Sequence, residues 1–546
     1  VVKGYPLVVR TSDDPEGRGG IPFDTPLFHW YTEADRNRQL ASYLCERFEV
    51  DEKAAQTAIA QADAALAAFR SDLLARGAET IAQTKRSGSW AVVLASRPYH
   101  NDPLVNHDLP RMFAEQGIAV LPPDAVPAAN EADLSRSRLD IVNNFHARML
   151  GCALACAESP SLELVQLVSF GCGHDAYLSD EIVRLMKERS DKVPLVLKVD
   201  ESDAAGPLRI RTRSFIETVG MRRERRIASA TRELPDPYPA KYVRADRKRK
   251  VVLVPNTSHA FCRLMSAAMR KQGIAAEPLD VGREEAIALG KKYVHNDICF
   301  PAQMTVGEAL AALRSGRYDD AEVAIGTGKY VGDCRLTHYC ALLRKALDDA
   351  GYAHVPIITN DDADEHRLHP GFKLSLTSSV RIAMALPMID ALEELLRKMR
   401  PYELEPGSAN RAFDEALDAV AEGLERRGTH GARRGFKRAI DIMAGVRYDR
   451  SRPRPRVLIV GEYLLNFHPG ANRDIEAYLE RNGMEVVEAR MTDVIRKTYF
   501  YQDAQIREFD VDRPFAQKAQ FGMANRLFDA AHDATDRIAA AHPLYE

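Results

Sequence analysis

The sequence of 546 residues lacks the features that would place it in a membrane or nucleic-acid-binding class. No apolar run approaches the roughly 20 residues that a helix needs to cross a bilayer, and Val1 does not open a signal peptide. We therefore expect a cytoplasmic protein with no membrane partner. The net charge of −3 gives no electrostatic reason to expect a nucleic-acid partner.

Two common kinds of binding motif are also missing. Neither a GxxxxGK[ST] nor a GxGxxG stretch is present, so the sequence predicts no phosphate-binding loop of these types. No CxxC pair occurs, which argues against a zinc ribbon or a ferredoxin-type run of cluster ligands. Eight cysteines in so long a chain do not indicate a disulfide framework, so their thiols are expected to be free in a reducing compartment.

Short apolar runs alternate with helical patterns along most of the chain. Runs that predict strands lie at 90–96, 118–123, 162–170, 193–200, 250–256, 275–280, 321–328, 355–361, 454–464 and 484–490. Strands that alternate with helices indicate parallel sheets covered on both faces. The predicted fold class is therefore α/β, with several doubly wound parallel-sheet domains of the Rossmann or flavodoxin-like type joined by helical segments.

Changes in these patterns predict five regions. They are an irregular and helical N-terminal segment (1–88), a first α/β domain (89–245), a second α/β domain (246–374), a helical linker region (375–450), and a third, incomplete α/β unit (451–546). Residues 1–50 show little periodicity, whereas an Ala-rich helical pattern follows from Asp51 to about Lys85.

Three cysteines share a local pattern in which a turn is followed by the cysteine and then by the start of a helix. Cys172 and Cys334 follow predicted strands, where ligands bind in open α/β sheets, and Cys299 stands just before Pro301, which suits a first helical turn. A helix N-terminus favours the thiolate form that binds metals. Each of the three is a candidate metal ligand, with a buried structural thiol as the alternative.

The other cysteines carry no such signal. Cys152 and Cys156 lie four residues apart on one helix face of small residues, which favours core packing over metal binding. We read Cys45, Cys262 and Cys340 as packing residues.

Two polar loops after predicted strands are candidate binding segments. "RPYHNDPLVNHDLP" contains Arg97, His100 and His107, which suit an anionic ligand or the lining of a cleft. "GEYLLNFHPGAN" contains Glu462 and His468 in a similar position. An ordinary polar loop is the alternative for the first segment, and a helix-capping loop is the alternative for the second.

Six stretches occur in the order found in a known family. They are "SRPYHNDPLVNHDLP", "LVQLVSFGCGHDA", "KYVHNDICFPAQ", "CRLTHYCALLRKAL", "RPYELEPGSAN" and "GEYLLNFHPGAN". Together they resemble the large activase-related proteins of the 2-hydroxyacyl-CoA dehydratase and benzoyl-CoA reductase group, and the resemblance covers almost the whole chain.

This resemblance implies a dehydratase-like part that binds a 4Fe-4S cluster. A separate activase domain or protein would bind ATP and deliver a low-potential electron for acyl-CoA chemistry, and an oligomeric assembly is expected. Cys172 matches the family's Phe-Gly-Cys-Gly motif, Cys299 its Asn-Asp-x-Cys-aromatic-Pro motif, and Cys334 its Cys-Arg motif. Family motifs before Val1 and after Glu546 are missing, which predicts a fragment, and "GTGKYVGDC" replaces a Gly-rich run.

Several alternatives follow from these departures. The three thiols share one cluster, or Cys299 and Cys334 belong to one cluster and Cys172 to another. The function is that of an iron–sulfur component acting on an acyl-CoA, a cluster-free scaffold that docks an activase, or a zinc-dependent or metal-free α/β binding protein. Catalytic residues are not assigned from the sequence.

Overall fold

A computed structural model of the chain describes residues 4–169, 171–200, 205–225, 231–332, 334–508, 511 and 513–545. It divides into two compact units. The smaller unit contains 1–71 and 495–527, and the larger contains 72–494 and 528–546. The larger unit holds all the strands and every candidate site residue.

The strands are short and all lie in parallel pairs. In chain order they are β1 (Ala91–Ala95), β2 (Ala119–Leu121), β3 (Leu162–Ser169), β4 (Leu195–Val199), β5 (Val251–Val254), β6 (Ala276–Pro278), β7 (Val323–Thr327), β8 (Ile357–Thr359), β9 (Arg456–Leu458) and β10 (Glu485–Val487).

Helices account for most of the remaining regular structure. In chain order they are α1 (Tyr5–Asp13), α2 (Pro15–Gly19), α3 (Glu33–Phe48), α4 (Glu52–Ser87), α5 (Pro103–Asn106), α6 (Leu109–Ala114), α7 (Pro127–Asn130), α8 (Asn144–Glu158), α9 (Gly173–Ser190), α10 (Ala205–Glu224), α11 (His259–Lys271), α12 (Glu284–Tyr293), α13 (Phe300–Arg314), α14 (Tyr339–Asp349), α15 (Leu376–Met399), α16 (Ser408–Ala444), α17 (Tyr463–Phe467), α18 (Pro469–Asn472), α19 (Ile475–Arg481), α20 (Met491–Glu508) and α21 (Phe515–Ala539).

Two four-stranded sheets have the same topology. Their strand orders are β2-β1-β3-β4 and β6-β5-β7-β8, so in each sheet the chain moves to one side first and then returns to the other. A third sheet pairs β9 with β10. These sheets confirm the predicted α/β class with parallel strands.

A continuous apolar core connects the two larger sheets. It contains buried side chains of α8 and α9 beside the first sheet and of α13 and α14 beside the second. Cys152, Cys156 and Cys340 lie in this core, and Cys262 is also buried. Separate clusters cover the opposite faces, with Phe113 of α6 packed on the first sheet. Burial of this kind supplies the main driving force for folding.

The long helix α16 is folded back on itself. Its backbone departs from helical geometry at Arg427 and Gly428, and Gly428 has φ +61° and ψ −146°. A Cβ on Gly431 would overlap the backbone of Gly423, so the two halves of the helix pack in close contact. Glycine suits both demands because it has no Cβ.

The smaller unit is helical. Thr32 caps α3 by accepting a hydrogen bond from the Asp35 backbone N–H at 3.1 Å. In the same unit, the guanidinium of Arg513 lies 3.6 Å from the centre of the Tyr31 ring, a cation–π contact.

The structure confirms the predicted strands and the long predicted helices, but it also contains a helix that the sequence did not predict. All ten predicted strands are confirmed, as are the long N-terminal helix α4 and the helical region formed by α15 and α16. The sequence did not predict α3, because its apolar spacing is weak and its start depends on the Thr32 cap. The predicted domain boundaries stay a prediction. Among the residues described, no helix combines the length and apolar character needed to cross a bilayer.

Candidate functional site

The first candidate residues meet at the carboxyl edge of the first sheet. Strands β1 and β3 are neighbours there although their connections leave in opposite directions, which makes this edge a topological switch point. Arg97 follows β1 and Cys172 follows β3. The Arg97 Nη2 lies 3.4 Å from the Cys172 Sγ and donates to Asp175 Oδ1 at 2.8 Å.

Cys172 begins a helix, as predicted. It is the N-cap residue of α9, and its thiol is partly exposed. Asp175 in the first turn is fully buried and also accepts the Ser169 backbone N–H at 3.0 Å. The fixed carboxylate therefore holds the Arg97 guanidinium beside the sulfur.

His100 lies buried on the same edge. Its Nε2 is 3.0 Å from the Ser169 hydroxyl, and its Nδ1 accepts the Arg97 backbone N–H at 3.3 Å. Burial lowers the pKa of His100 to about 4, and this effect outweighs the opposing charge of Asp175. The imidazole is therefore neutral near pH 7 and positions this loop, rather than supplying a positive charge.

His107 stands apart from this group. It is half-buried, has a positive φ of 53°, and its Nε2 lies 3.1 Å from the Asp200 carbonyl oxygen. This contact ties the loop after β1 to the end of β4. His107 thus shares the loop with Arg97 but makes no contact with the thiol.

Cys299 lies at the start of α13, as the sequence predicts. It is the N-cap residue, with Pro301 in the first turn, and its Sγ is 3.0 Å from the Tyr339 hydroxyl. Burial and the neighbouring Cys299 raise the pKa of Tyr339. The phenol therefore stays protonated, and its O–H can donate a hydrogen bond to the Cys299 sulfur.

The segment 334–339 connects the three thiols. Cys334 is exposed and caps a short 3-10 helix, Arg335–His338, that leads into α14. Arg335 packs against Gly173, which directly follows Cys172, so closely that a Cβ at position 173 would overlap its guanidinium. At the other end, Tyr339 reaches Cys299. One short segment thus contacts the surroundings of both other candidates.

An unpredicted cluster of imidazoles packs behind this segment. Ring centres of His146 and His174 are 5.8 Å apart, and the ring of His338 lies 4.0 Å from that of Tyr177. Burial lowers the pKa of His146 to about 4 and that of His338 to about 3. His146 and His338 are therefore neutral at pH 7, and the cluster joins α8 and α9 to the segment before α14.

Lys329 is a second unpredicted feature, in the loop between β7 and Cys334. Its ammonium lies 3.1 Å from Asp140, 3.0 Å from Asp361 and 2.8 Å from Asp364, and its side chain is 1% exposed. Burial opposes the charge, but the three carboxylates outweigh it and raise the pKa of Lys329. The sequence signal that could have indicated this buried cation is a lysine between Gly328 and Gly332, directly after a predicted strand.

Glu462 and His468 have structural contacts. Glu462 caps α17 by accepting the Leu464 backbone N–H at 2.9 Å. His468 is fully buried: Nδ1 accepts the Ala471 N–H at 3.0 Å, so Nε2 carries the proton and donates to Glu308 at 2.8 Å. His468 therefore lines no open surface.

A 4Fe-4S cluster would need thiolate ligands grouped around one position. The donor chemistry suits iron, because three thiols stand at helix starts and thiolates are the usual ligands of iron–sulfur clusters. Their arrangement is looser than a finished ligand set: nowhere in the described ranges do three His, Cys, Asp or Glu side chains stand as a group that holds a metal.

Comparison with known proteins gives a family for one part of the chain. Residues 1–126 match the family model described as CoA enzyme activase uncharacterised domain (DUF2229). No curated protein and no solved structure matches the chain. The match covers the smaller unit's N-terminal part, β1, and the loop that holds Arg97, His100 and His107. It relates residues 1–126 to an activase-related family model.

Proposed function

We propose that this chain is the thiol-bearing component of an acyl-CoA dehydratase or reductase system that works with an ATP-dependent activase. One observation carries the proposal: the thiols of Cys172, Cys299 and Cys334 each stand at a helix start and are linked by the contacts of residues 334–339. The activase-related match of residues 1–126 supports the same system.

These three cysteines would hold a 4Fe-4S cluster. When bound, it supplies a low-potential electron to the acyl-CoA chemistry. Arg97 would donate a hydrogen bond to the Cys172 sulfur, since its Nη2 lies 3.4 Å from that atom. The Tyr339 hydroxyl would donate to the Cys299 sulfur, and hydrogen bonds to sulfur tune a cluster's potential.

Iron and acid-labile sulfide per chain, measured after strictly anaerobic purification and reconstitution, test this function. We expect about four irons per chain and their loss in Cys172→Ala, Cys299→Ala and Cys334→Ala alike. Cys45→Ala is the matched control, because Cys45 lies in α3 of the smaller unit. Loss confined to Cys299→Ala and Cys334→Ala would assign Cys172 to a different site.

A cluster-free component that docks an activase is the second candidate. The absence of a group of three metal-holding side chains from the described ranges favours it. A folded chain that takes up no iron, and whose retention on an immobilised activase partner is unchanged in the three cysteine variants, would select this function over the first.

A further inference from the structure

A cleft of about 450 Å³ lies among helices of the larger unit. Its lining includes none of the candidate site residues described above. Its walls come from the end of α11, the start of α15 and the reversal of α16. Its volume falls within the roughly 300–1,000 Å³ of small-molecule sites. The cleft is large enough for a ligand with more than one charged group.

The charge of the cleft has one sign. Lys271, Arg381, Arg427 and His430 contribute basic side chains to its wall, and no Asp or Glu side chain lines it. Charges crowded in this way repel one another unless an anion lies among them. The cleft is therefore complementary to a multiply charged anion.

The two arginines have their hydrogen-bonding capacity free. Lys271 donates to the Arg426 carbonyl oxygen at 2.8 Å. By contrast, Arg381 and Arg427 form no hydrogen bond or ion pair with any residue in the described part of the chain. Elsewhere in the larger unit, many arginines pair with carboxylates, such as Arg397 with Glu476 at 2.9 Å. Guanidinium groups suit phosphate because they bind it through two parallel N–H groups.

The backbone adds to this positive potential. Gly428, with φ +61°, ends the first half of α16, and the second half starts at Thr429 on the wall of the cleft. Thr377 places the first turn of the 24-residue helix α15 on the same wall. Helix N-termini carry partial positive charge, and the two threonine hydroxyls can donate further hydrogen bonds.

We propose that this cleft binds a small molecule that carries a diphosphate group. Arg381 and Arg427 would each contact phosphate oxygens, with Lys271 contributing charge and with Thr377, Thr429 and His430 donating hydrogen bonds. The site is independent of the proposed iron–sulfur function, because none of its residues contacts the candidate thiols.

Titration calorimetry on the full chain at low salt tests this site. The probes are inorganic phosphate, pyrophosphate and ADP. We expect saturable one-to-one binding of pyrophosphate that is tighter than that of phosphate. ADP binding tighter than pyrophosphate would identify a nucleotide, whereas equal or weaker binding of ADP would identify the diphosphate group itself as the recognised part.

Substitutions then assign the binding to the cleft. Arg381→Ala and Arg427→Ala should each weaken pyrophosphate binding about tenfold or more, because each removes a charge-assisted contact. Arg434→Ala is the matched control, since Arg434 is exposed on the same helix but outside the cleft, and it should change affinity by less than about twofold.

Three results would overturn the proposal. They are no pyrophosphate binding by the folded chain, binding that survives both cleft substitutions, and an equal loss in the Arg434→Ala control. Arg381→Lys, which keeps the charge, separates a folding defect from a lost contact: it should retain more affinity than Arg381→Ala at the same thermal stability.

Discussion

The two four-stranded sheets have the same strand order, yet the cations at their carboxyl edges have different surroundings. On the first sheet, Arg97 pairs with one carboxylate, Asp175, and its remaining surface faces the Cys172 thiol. On the second, Lys329 is enclosed by three carboxylates. With one carboxylate beside it, Arg97 can also contact the thiol, whereas the three carboxylates around Lys329 occupy its ammonium group completely.

The exposure of the two side chains agrees with this distinction. Arg97 is 19% exposed and Lys329 is 1% exposed. The carboxylates around Lys329 come from a loop beside the first sheet (Asp140) and from the end of β8 (Asp361 and Asp364). The ion pairs of Lys329 therefore connect the segments beside the two sheets. Arg97, by contrast, leaves part of the carboxyl edge of the first sheet accessible to solvent.

Replacing Lys329 should give the largest effect. Lys329→Met leaves Asp364 buried without its cation, and breaking such a buried pair costs about 4 kcal/mol of unfolding free energy. Chemical denaturation measures this loss. Lys373→Met is the control, because Lys373 pairs with Glu365 at the exposed surface and should change stability little. Equal losses in both variants would mean that Lys329 holds no special position.

Acid should act on the contact between the sheets. The folded-state pKa of His338 is lowered from 6.5 to about 3, so between these values the unfolded chain binds a proton that the folded chain does not. Stability therefore falls as pH falls below 6.5, by about 2 kcal/mol at pH 5 for this group.

His338→Leu should remove this contribution. The slope of unfolding free energy against pH between pH 6.5 and 5 should become smaller in His338→Leu than in the wild type, because the substituted chain no longer gains this proton on unfolding. Thermal denaturation at several pH values gives both slopes. An unchanged slope in His338→Leu would show that acid acts elsewhere.

The smallest effect is expected at the accessible edge itself. Arg97→Met should slow alkylation of Cys172 by iodoacetamide about threefold or more, because it removes the positive charge that lies 3.4 Å from the sulfur, and a neighbouring cation makes a thiol more reactive. Mass spectrometry of each cysteine-containing peptide gives the rate, with exposed Cys334 as the internal reference. An unchanged Cys172 rate in a folded variant would remove Arg97 from any role at the thiol.

Local sequence patterns predicted the features that depend on local sequence. Every predicted strand is present, and Cys172 and Cys299 occupy the N-cap positions of helices because strand periodicity, turn residues and Pro301 act over a few positions. These patterns also placed Arg97 and Cys172 at strand ends, from which their proximity followed once β1 and β3 paired.

Local sequence patterns could not predict contacts between residues that are far apart in the chain. Lys329 meets Asp140 across 189 residues (329 − 140), and His468 meets Glu308 across 160. Neither pairing leaves a local signal, so His468 was expected to line a cleft although it is buried. The anion cleft was missed for the same reason: Arg381 and Arg427 lie on different helices that only the reversal of α16 brings together.

That reversal has a consequence for inherited variation. Position 428 combines a positive φ with a place on the cleft wall, so the conformation there is one that residues with a side chain rarely adopt. A single-nucleotide change that replaced this glycine would alter walls contributed by α15 and α16 at once. Natural variants that replace Gly428 should therefore be scarcer than variants that replace the exposed neighbour Arg426.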